Sequence, residues 1–544
     1  MNVLRGVPAA PGLAIGTAHL IAPLAPVDLT AHRSVDSVTE IPRLNAAIAA
    51  VRTQLEALSA RARGTAADIL AAHREMLDDP ELHEGARVAI DEGATAEAAI
   101  THVAGSYAGS LAALPDPYLA ARADDVRDIA RRIVAALRGV SLDVRLDRPA
   151  VLVARDLAPA ETVGLDTNFL QAIVTETGSA TGHLAIVAQG LGIPCVVGVA
   201  GALDAIASGA SLIVDGTGGA VTIDPDATAL AVAQSAIAAA TQAARALEAY
   251  RDRPGMTADG TPIEVFANIA SLAEAHKAVE QGAEGVGLFR TELLAAGGLP
   301  DENAQYQTYL EVAEALRRPL IVRTFDIGGD KPVPGLDIPQ EANPFLGWRG
   351  IRLALDRPDE IFLPQIRALL RAAATHDIRV MLPMVATPRE VAAARALIDT
   401  AVRDLESQGI PLRRMPVGIM VETPAAAITL DVFRSLIDFA SIGTNDLVQY
   451  TYAVDRTNAS VRDRAAPLGT ATLRLISLAA RAGMPLAVCG QLAGDPEAVP
   501  LLVGLGVREL SVAPARIPEV KQTLARLTLD EMRALAQQRL SGAD

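Results

Sequence analysis

Gly285-Val286-Gly287-Leu288-Phe289-Arg290-Thr291-Glu292 is a short apolar run that glycine opens and a guanidinium and a carboxylate close. Eight apolar runs of this kind succeed one another: Ile263–Asn268, Gly285–Phe289, Leu320–Arg323, Arg379–Met384, Val417–Val421, Phe439–Gly443, Leu486–Cys489 and Leu510–Ala513. Helical periodicity fills most of the intervals, over Leu272–Gln281, Tyr306–Leu316, Ile361–Ala374, Glu390–Gln408, Thr470–Ala482 and Ala498–Gly504. Eight β/α units at this spacing predict a (β/α)8 TIM barrel over residues 256–544. That fold carries its chemistry at the carboxyl ends of its strands. Asn268, Arg290, Arg323, Glu422, Asn445, Asp446 and Cys489 each close an apolar run.

Upstream the texture changes. Val7 to Ile21 has strand-like pieces punctuated by Gly and Pro. From about Ser37 the pattern is helical, with Leu44, Ile48, Val51, Leu55 and Leu58 at helical spacing. Breaks at Gly64, Pro80, Gly93 and Pro115 divide it into antiparallel lengths; the last helix carries Val126, Ile129, Ile133 and Leu137 on one face. After Gly139 short apolar runs return at Ala150–Val153, Ala172–Thr175, Pro194–Val197 and Ser211–Asp215. The opening strands need a sheet and this is the nearest, so the bundle reads as an insertion. The expected organisation is a multidomain α/β protein: an α/β domain of residues 1–30 and 140–224, an inserted bundle of 31–139, an Ala-rich helical connector of 225–255, and the barrel.

The chain holds 48 basic and 64 acidic residues, a net charge of −16, which disfavours nucleic acid or an anionic membrane as the main partner. A small anion in a locally basic pocket remains compatible. Only Lys277, Lys331 and Lys521 are lysine; every other basic residue is arginine. Two distant cysteines, Cys195 and Cys489, make neither a disulfide framework nor a zinc cluster, and a reducing cytoplasm fits best. The apolar stretches at 6–27 and 184–203 are broken by Pro and Gly, and 227–244 is too weakly apolar to span a bilayer, so no membrane insertion is expected.

Arg290 and Arg323 at two strand ends suit a bidentate grip on phosphate or carboxylate; the plainer reading pairs an arginine with Glu292. Glu422 and Asp446, at adjacent strand ends, could hold Mg²⁺ beside a substrate phosphate, against a helix N-cap role for Asp446. Lys331, in Gly328-Gly329-Asp330-Lys331, offers a point charge or is a solvated lysine. Cys489 is a proton donor or a small buried residue; for Cys195 the buried reading is taken. His183 follows a glycine-rich turn, where free backbone N–H groups suit a phosphate and a neutral imidazole can act as nucleophile; a lone His at a helix start is more often structural.

Several further segments, in order, carry a resemblance: Pro8-Ala9-Ala10-Pro11-Gly12, Met76-Leu77-Asp78-Asp79-Pro80-Glu81-Leu82, Ala123-Asp124-Asp125-Val126-Arg127-Asp128-Ile129, Asp326-Ile327-Gly328-Gly329-Asp330-Lys331, Asn343-Pro344-Phe345-Leu346-Gly347-Trp348-Arg349, Met420-Val421-Glu422-Thr423-Pro424-Ala425 and Ser441-Ile442-Gly443-Thr444-Asn445-Asp446-Leu447. Together with Gly285–Glu292 they resemble enzyme I of the bacterial sugar phosphotransferase system, the phosphoenolpyruvate–protein phosphotransferases. The resemblance implies that His183 takes the phosphoryl group of phosphoenolpyruvate and passes it to the histidine of the carrier protein HPr, releasing pyruvate. It implies that Arg290, Arg323, Asn445, Asp446 and Arg456 hold the substrate, with Lys331 and Arg349 in the same site. Glu422 and Asp446 would carry Mg²⁺, and Cys489 would protonate the enolpyruvate. It further implies a swivelling histidine domain, an HPr-binding bundle and a homodimer through the barrel.

Departures gather around the relay. The family's Gly-Gly-x-Thr-Ser-His loop, followed by a small hydroxyl residue, differs here at Ser179, Gly182 and Leu184. Gln491 replaces an acidic residue after Cys-Gly, and Arg462–Gly469 lacks the usual aromatic and histidine residues. They support an alternative, a catalytically weakened regulatory paralogue that binds phosphoenolpyruvate or HPr. A dikinase would need an ATP-binding domain for which the chain has no room.

Overall fold

In the computed structural model eight parallel strands close on themselves in the order β9 to β16: Glu264–Ile269, Val286–Phe289, Leu320–Arg323, Ile378–Leu382, Val417–Val421, Phe439–Ile442, Leu486–Val488 and Glu509–Val512. Each pairs with its neighbours in sequence, and β16 returns to β9 with Leu510 opposite Val265. The TIM barrel expected from the eight runs is the fold observed. The structure describes residues 2–29, 37–59, 65–113, 117–142, 146–157, 161, 168–180, 183–339, 341–458 and 460–542. The chain divides into two units, Met1–Gln242 and Ala243–Asp544.

Strand boundaries moved where local chemistry overrode the apolar pattern. The fourth barrel strand stops at Leu382 rather than Met384, because Met384 turns to φ +57° and gives its N–H to the Glu422 carboxylate. Asn268 lies inside β9, opposite Leu288, not beyond its end. Its amide donates to the carbonyls of Cys489 and Ser511 at 2.9 and 3.0 Å, tying β9 to its neighbour β16 and to the residue that follows β15. The helix after β10 starts four residues earlier than its apolar stripe, at Glu302, because Asp301 caps the Ala304 N–H at 2.8 Å.

The first unit contains one eight-stranded sheet, ordered β1-β8-β7-β3-β4-β5-β6-β2. Its strands are Asn2–Arg5, Val7–Ala10, Leu13–Leu20, Ala150–Ala154, Leu170–Thr175, Cys195–Val197, Ser211–Asp215 and Ala220–Ile223 for β1 to β8. β1 and β8 lie outside the strand-like runs: they are short, and their alternation is too brief to stand out. β3 and β4 run parallel and adjacent, Thr17 opposite Ala150, although five helices among the described residues separate them in the chain. Those helices, α1 to α5, are Ser37–Ser59, Thr65–Leu77, Pro80–Asp91, Ala96–Ala112 and Pro117–Leu137. They bury their own core, with Leu44, Val51, Leu55, Leu77, Ile100, Ile129 and Ile133 at its centre. Pro80 opens α3 behind an Asp79 cap, where its missing N–H is harmless. Gly64 and Pro115, expected breaks, lie outside the described residues. The Ala-rich segment forms one helix, Ala227–Arg251, with Ala233 alone buried.

Candidate active site

A cleft of about 1160 Å³ opens at the carboxyl ends of the barrel strands. Arg290, Arg323, Lys331, Glu422, Asn445, Asp446, Arg456 and Cys489 all line it, so eight of the nine barrel residues that the resemblance assigns to the site converge on one space. The ninth, Arg349, is wholly buried and stands behind the cleft wall rather than on it. Beneath the cleft Leu288, Ile321, Met381, Met420, Phe439 and Cys489 pack into a small apolar layer that floors the site.

The polar wall is an alternating chain of charge. Glu292 accepts from Arg323 at 2.6 Å, and Arg323 also lies 3.4 Å from Asp326. Asp326, fully buried, takes Lys331 at 2.7 Å and both nitrogens of the Arg349 fork at 2.8 and 2.9 Å. Arg349 reaches on to Asp446 at 3.3 Å, and Arg456 meets the same carboxylate at 3.5 Å. Burial alone would raise the Asp326 carboxyl; the guanidinium groups of Arg323 and Arg349, with Lys331, hold it well below the ordinary carboxylate range instead. Arg323 and Arg349 resist losing their protons for the converse reason: burial disfavours the charge, and the carboxylates around them outweigh it.

Glu422 is 1% exposed and behaves differently. Burial, then the neighbouring charges of Asp326 and Asp446, push it up to about 8, with Arg323 and Arg349 opposing. Its Oε1 accepts the Met384 N–H at 2.6 Å. Its Oε2 faces Gly443, where an added Cβ would come within 2.9 Å of it, so only glycine leaves that oxygen clear. A buried carboxylate crowded by like charge, with a clear oxygen beside a second carboxylate, fits a hard divalent cation. Among the described residues no three His, Cys, Asp or Glu form a closed metal cage. A cation on Glu422 and Asp446 would therefore draw its remaining ligands from substrate oxygens and water, as Mg²⁺ does in phosphate sites.

Asp446 does not cap the following helix. The helix is Thr444–Tyr452 with Gly443 at the cap, and Asp446 lies within its first turn, its carboxylate taken by Arg349 and Arg456. Asn445 Oδ1 accepts the Gln491 N–H at 3.3 Å, which leaves its amide nitrogen free to donate. Cys489 is 2% exposed, and burial pushes its thiol up to about 11, so it stays protonated at neutral pH. Cys195 is buried in β6 and pushed up to about 12 by desolvation, in line with its structural reading.

Two acidic residues were missed. Asp326 was legible only as part of a motif and Glu292 only as a plain arginine partner. The signal for Asp326 is an Asp three residues beyond Arg323, just where the chain leaves β11. The Glu292 pairing does exist, with Arg323 rather than the adjacent Arg290.

In the other unit His183 opens the helix His183–Leu191, as the glycine-rich turn predicts, while Thr181, Gly182 and the His183 side chain lie outside the described residues. Leu184, 8% exposed, packs with Ala185, Ala188 and Cys195, which accounts for an apolar residue there. No described helix is long and apolar enough to cross a membrane.

Three family models match consecutive parts of the chain: the PEP-binding domain of PEP-utilising enzymes over residues 244–529, their N-terminal region over 5–122 and their mobile domain over 146–219. The phosphoenolpyruvate-protein phosphotransferase of Staphylococcus carnosus is 37% identical across 98% of this chain and 96% of its own length. That of Enterococcus faecalis is 39% identical across 100% and 97%. A solution structure of an enzyme I protein shares 31% identity over 44% of this chain and 99% of its own, at a TM-score of 0.37.

Proposed function

The chain belongs to the phosphoenolpyruvate–protein phosphotransferases, within the PEP-utilising enzymes, and from that premise we propose that it moves the phosphoryl group of phosphoenolpyruvate to His183 and then to the histidine of HPr. The observation that carries this reading is the convergence of Arg290, Arg323, Asn445, Arg456, Glu422, Asp446 and Cys489 on one cleft. The substrate carries a phosphate and a carboxylate, and this wall offers a guanidinium or amide donor to each. Arg323 enters already held by carboxylates, so it needs little reorganisation to meet a phosphoryl oxygen.

Phosphoryl transfer depends mainly on positioning and charge neutralisation. The bond from phosphorus to the enol oxygen breaks as the bond to the His183 imidazole nitrogen forms. Glu422 and Asp446 are the residues that would hold Mg²⁺, which would supply charge neutralisation on the phosphate oxygens. The enolate left behind takes a proton at its methylene carbon from the Cys489 thiol, which yields pyruvate, and the thiolate regains a proton from solvent. Lys331 is tied to Asp326 at 2.7 Å and lines the cleft, so it adds positive charge there. Arg349 acts from behind by fixing Asp326 and Asp446.

The α1–α5 bundle is our proposed docking place for HPr, and the β1–β8 domain our proposed carrier of His183. Incubation with ³²P-labelled phosphoenolpyruvate and Mg²⁺ tests the reading: label is expected on the wild-type chain and absent from His183→Ala. A wild-type chain that takes no label would overturn it. Transfer of that label to added HPr tests the second step. We further propose a homodimer through the barrel, supported by exposed Ile428, Val432 and Leu478 on neighbouring helices.

A further inference from the structure

Glu292 is an odd residue to find lining a cleft that binds a highly anionic substrate. A free carboxylate there would repel phosphate and carboxylate alike. Its Oε1, however, is spent twice: it accepts Nη2 of Arg323 at 2.6 Å and the N–H of Asp326 at 3.2 Å. The preceding residue completes the grip, because Thr291 Oγ1 donates to the Arg323 carbonyl at 2.9 Å. One dipeptide at the end of β10 therefore holds the backbone of Arg323, its guanidinium, and the start of the turn that carries Asp326.

Behind this dipeptide lies a buried polar network. Gln365, fully buried, accepts the Phe325 N–H at 2.9 Å and donates to Thr291 Oγ1 at 3.4 Å and Tyr309 Oη at 2.9 Å. Tyr309 in turn bonds Gln305 at 3.1 Å. Side chains with their own partners satisfied hold one geometry. Arg323 itself is 7% exposed, with Nη1 against the Met420 sulfur at 3.5 Å and Nε unpartnered. Without Glu292 the guanidinium would lose its one short charge-assisted bond.

We infer that Glu292 is the positioning residue of Arg323, a built-in carboxylate that fixes the guanidinium in its substrate-binding orientation before phosphoenolpyruvate arrives. The inference rests on the phosphotransferase reading above, so wild-type turnover is its first control. Its hydrogen bonds run to Arg323 and to the Asp326 N–H, so its role is to act through Arg323.

The test compares Glu292→Gln, Glu292→Ala and wild type in pyruvate release under saturating HPr, with thermal unfolding measured in parallel. Glu292→Ala is expected to raise KM for phosphoenolpyruvate about tenfold or more, with a smaller change in kcat. Glu292→Gln keeps an acceptor oxygen and should recover most of the affinity, while the melting temperatures of all three stay together. An unchanged KM in Glu292→Ala, or a KM rise in both variants that tracks a common fall in melting temperature, overturns the inference. Should Glu292→Ala fail to fold, Glu292→Gln decides with Glu292→Leu, which matches its size without an acceptor: equal KM values in the two reject the positioning role. Wild-type chain that releases no pyruvate would instead reject the phosphotransferase reading.

Discussion

Asp326 illustrates how much one buried carboxylate can organise. It is wholly inaccessible, yet it bonds Lys331 and both nitrogens of Arg349 and stands 3.4 Å from Arg323. Removing its charge leaves Arg349 without its short partner in the interior. Asp326→Ala should destabilise the barrel by about 3–5 kcal/mol, the usual result of breaking a buried pair from one side. Urea unfolding followed by circular dichroism measures it, and a loss below about 1 kcal/mol would contradict the account. The same carboxylate sets an acid limit. Its folded-state value is depressed, so its contribution is complete above the unfolded value of about 4 and fades as pH falls below that. Unfolding midpoints should drop through that acid window in wild type and less steeply in Asp326→Asn.

Among the elements, the connector helix Ala227–Arg251 shows where a retained lysine has a structural task. Lys521 is 2% exposed and donates to the Arg251 carbonyl at 2.9 Å and the Gly282 carbonyl at 2.6 Å. It thereby caps the last turn of that helix and the loop after the helix Leu272–Glu280. Gly282, at φ +77°, brings its backbone so close that an added Cβ would sit 1.9 Å from the Arg251 carbonyl. Lys521→Met retains the stem and removes both bonds, and should cost about 2–5 kcal/mol because two carbonyls lose their donor. Chemical denaturation is the measurement, and a stability within 0.5 kcal/mol of wild type would dismiss the capping role. The strand and helix sequence of the barrel was legible because parallel barrel strands are short, apolar and regularly spaced. Its ends were less so: Asp301 and Met384 act through single hydrogen bonds that no periodicity records.

For the molecule as a whole, the proposed dimer belongs to the barrel. Ile428, Val432 and Leu478 are 58%, 56% and 45% exposed, and they are the apolar side chains the proposal places in the contact. Val432→Asp combined with Ile428→Asp should lower the sedimentation coefficient toward that of a single chain, and an unchanged value would place any dimer contact elsewhere. The net charge of −16 does not exclude an anionic substrate, because the chain concentrates arginine in one cleft that draws an anion against the overall field.

By itself the sequence determined the eight-unit barrel, the helical insertion between paired strands, and eight residues that converge on the cleft. Local periodicity sets the first two, and the rule that strand ends carry chemistry names six of the eight residues, while Lys331 rests on its glycine-rich loop and Arg456 on the family resemblance. Only the tertiary structure decided which charges pair. It put Glu292 on Arg323 rather than on Arg290, sank Arg349 behind the wall, and made Asp326 the hub between them. Pairing depends on distance and burial across strands that are far apart in the chain, and spacing along one chain holds no measure of either.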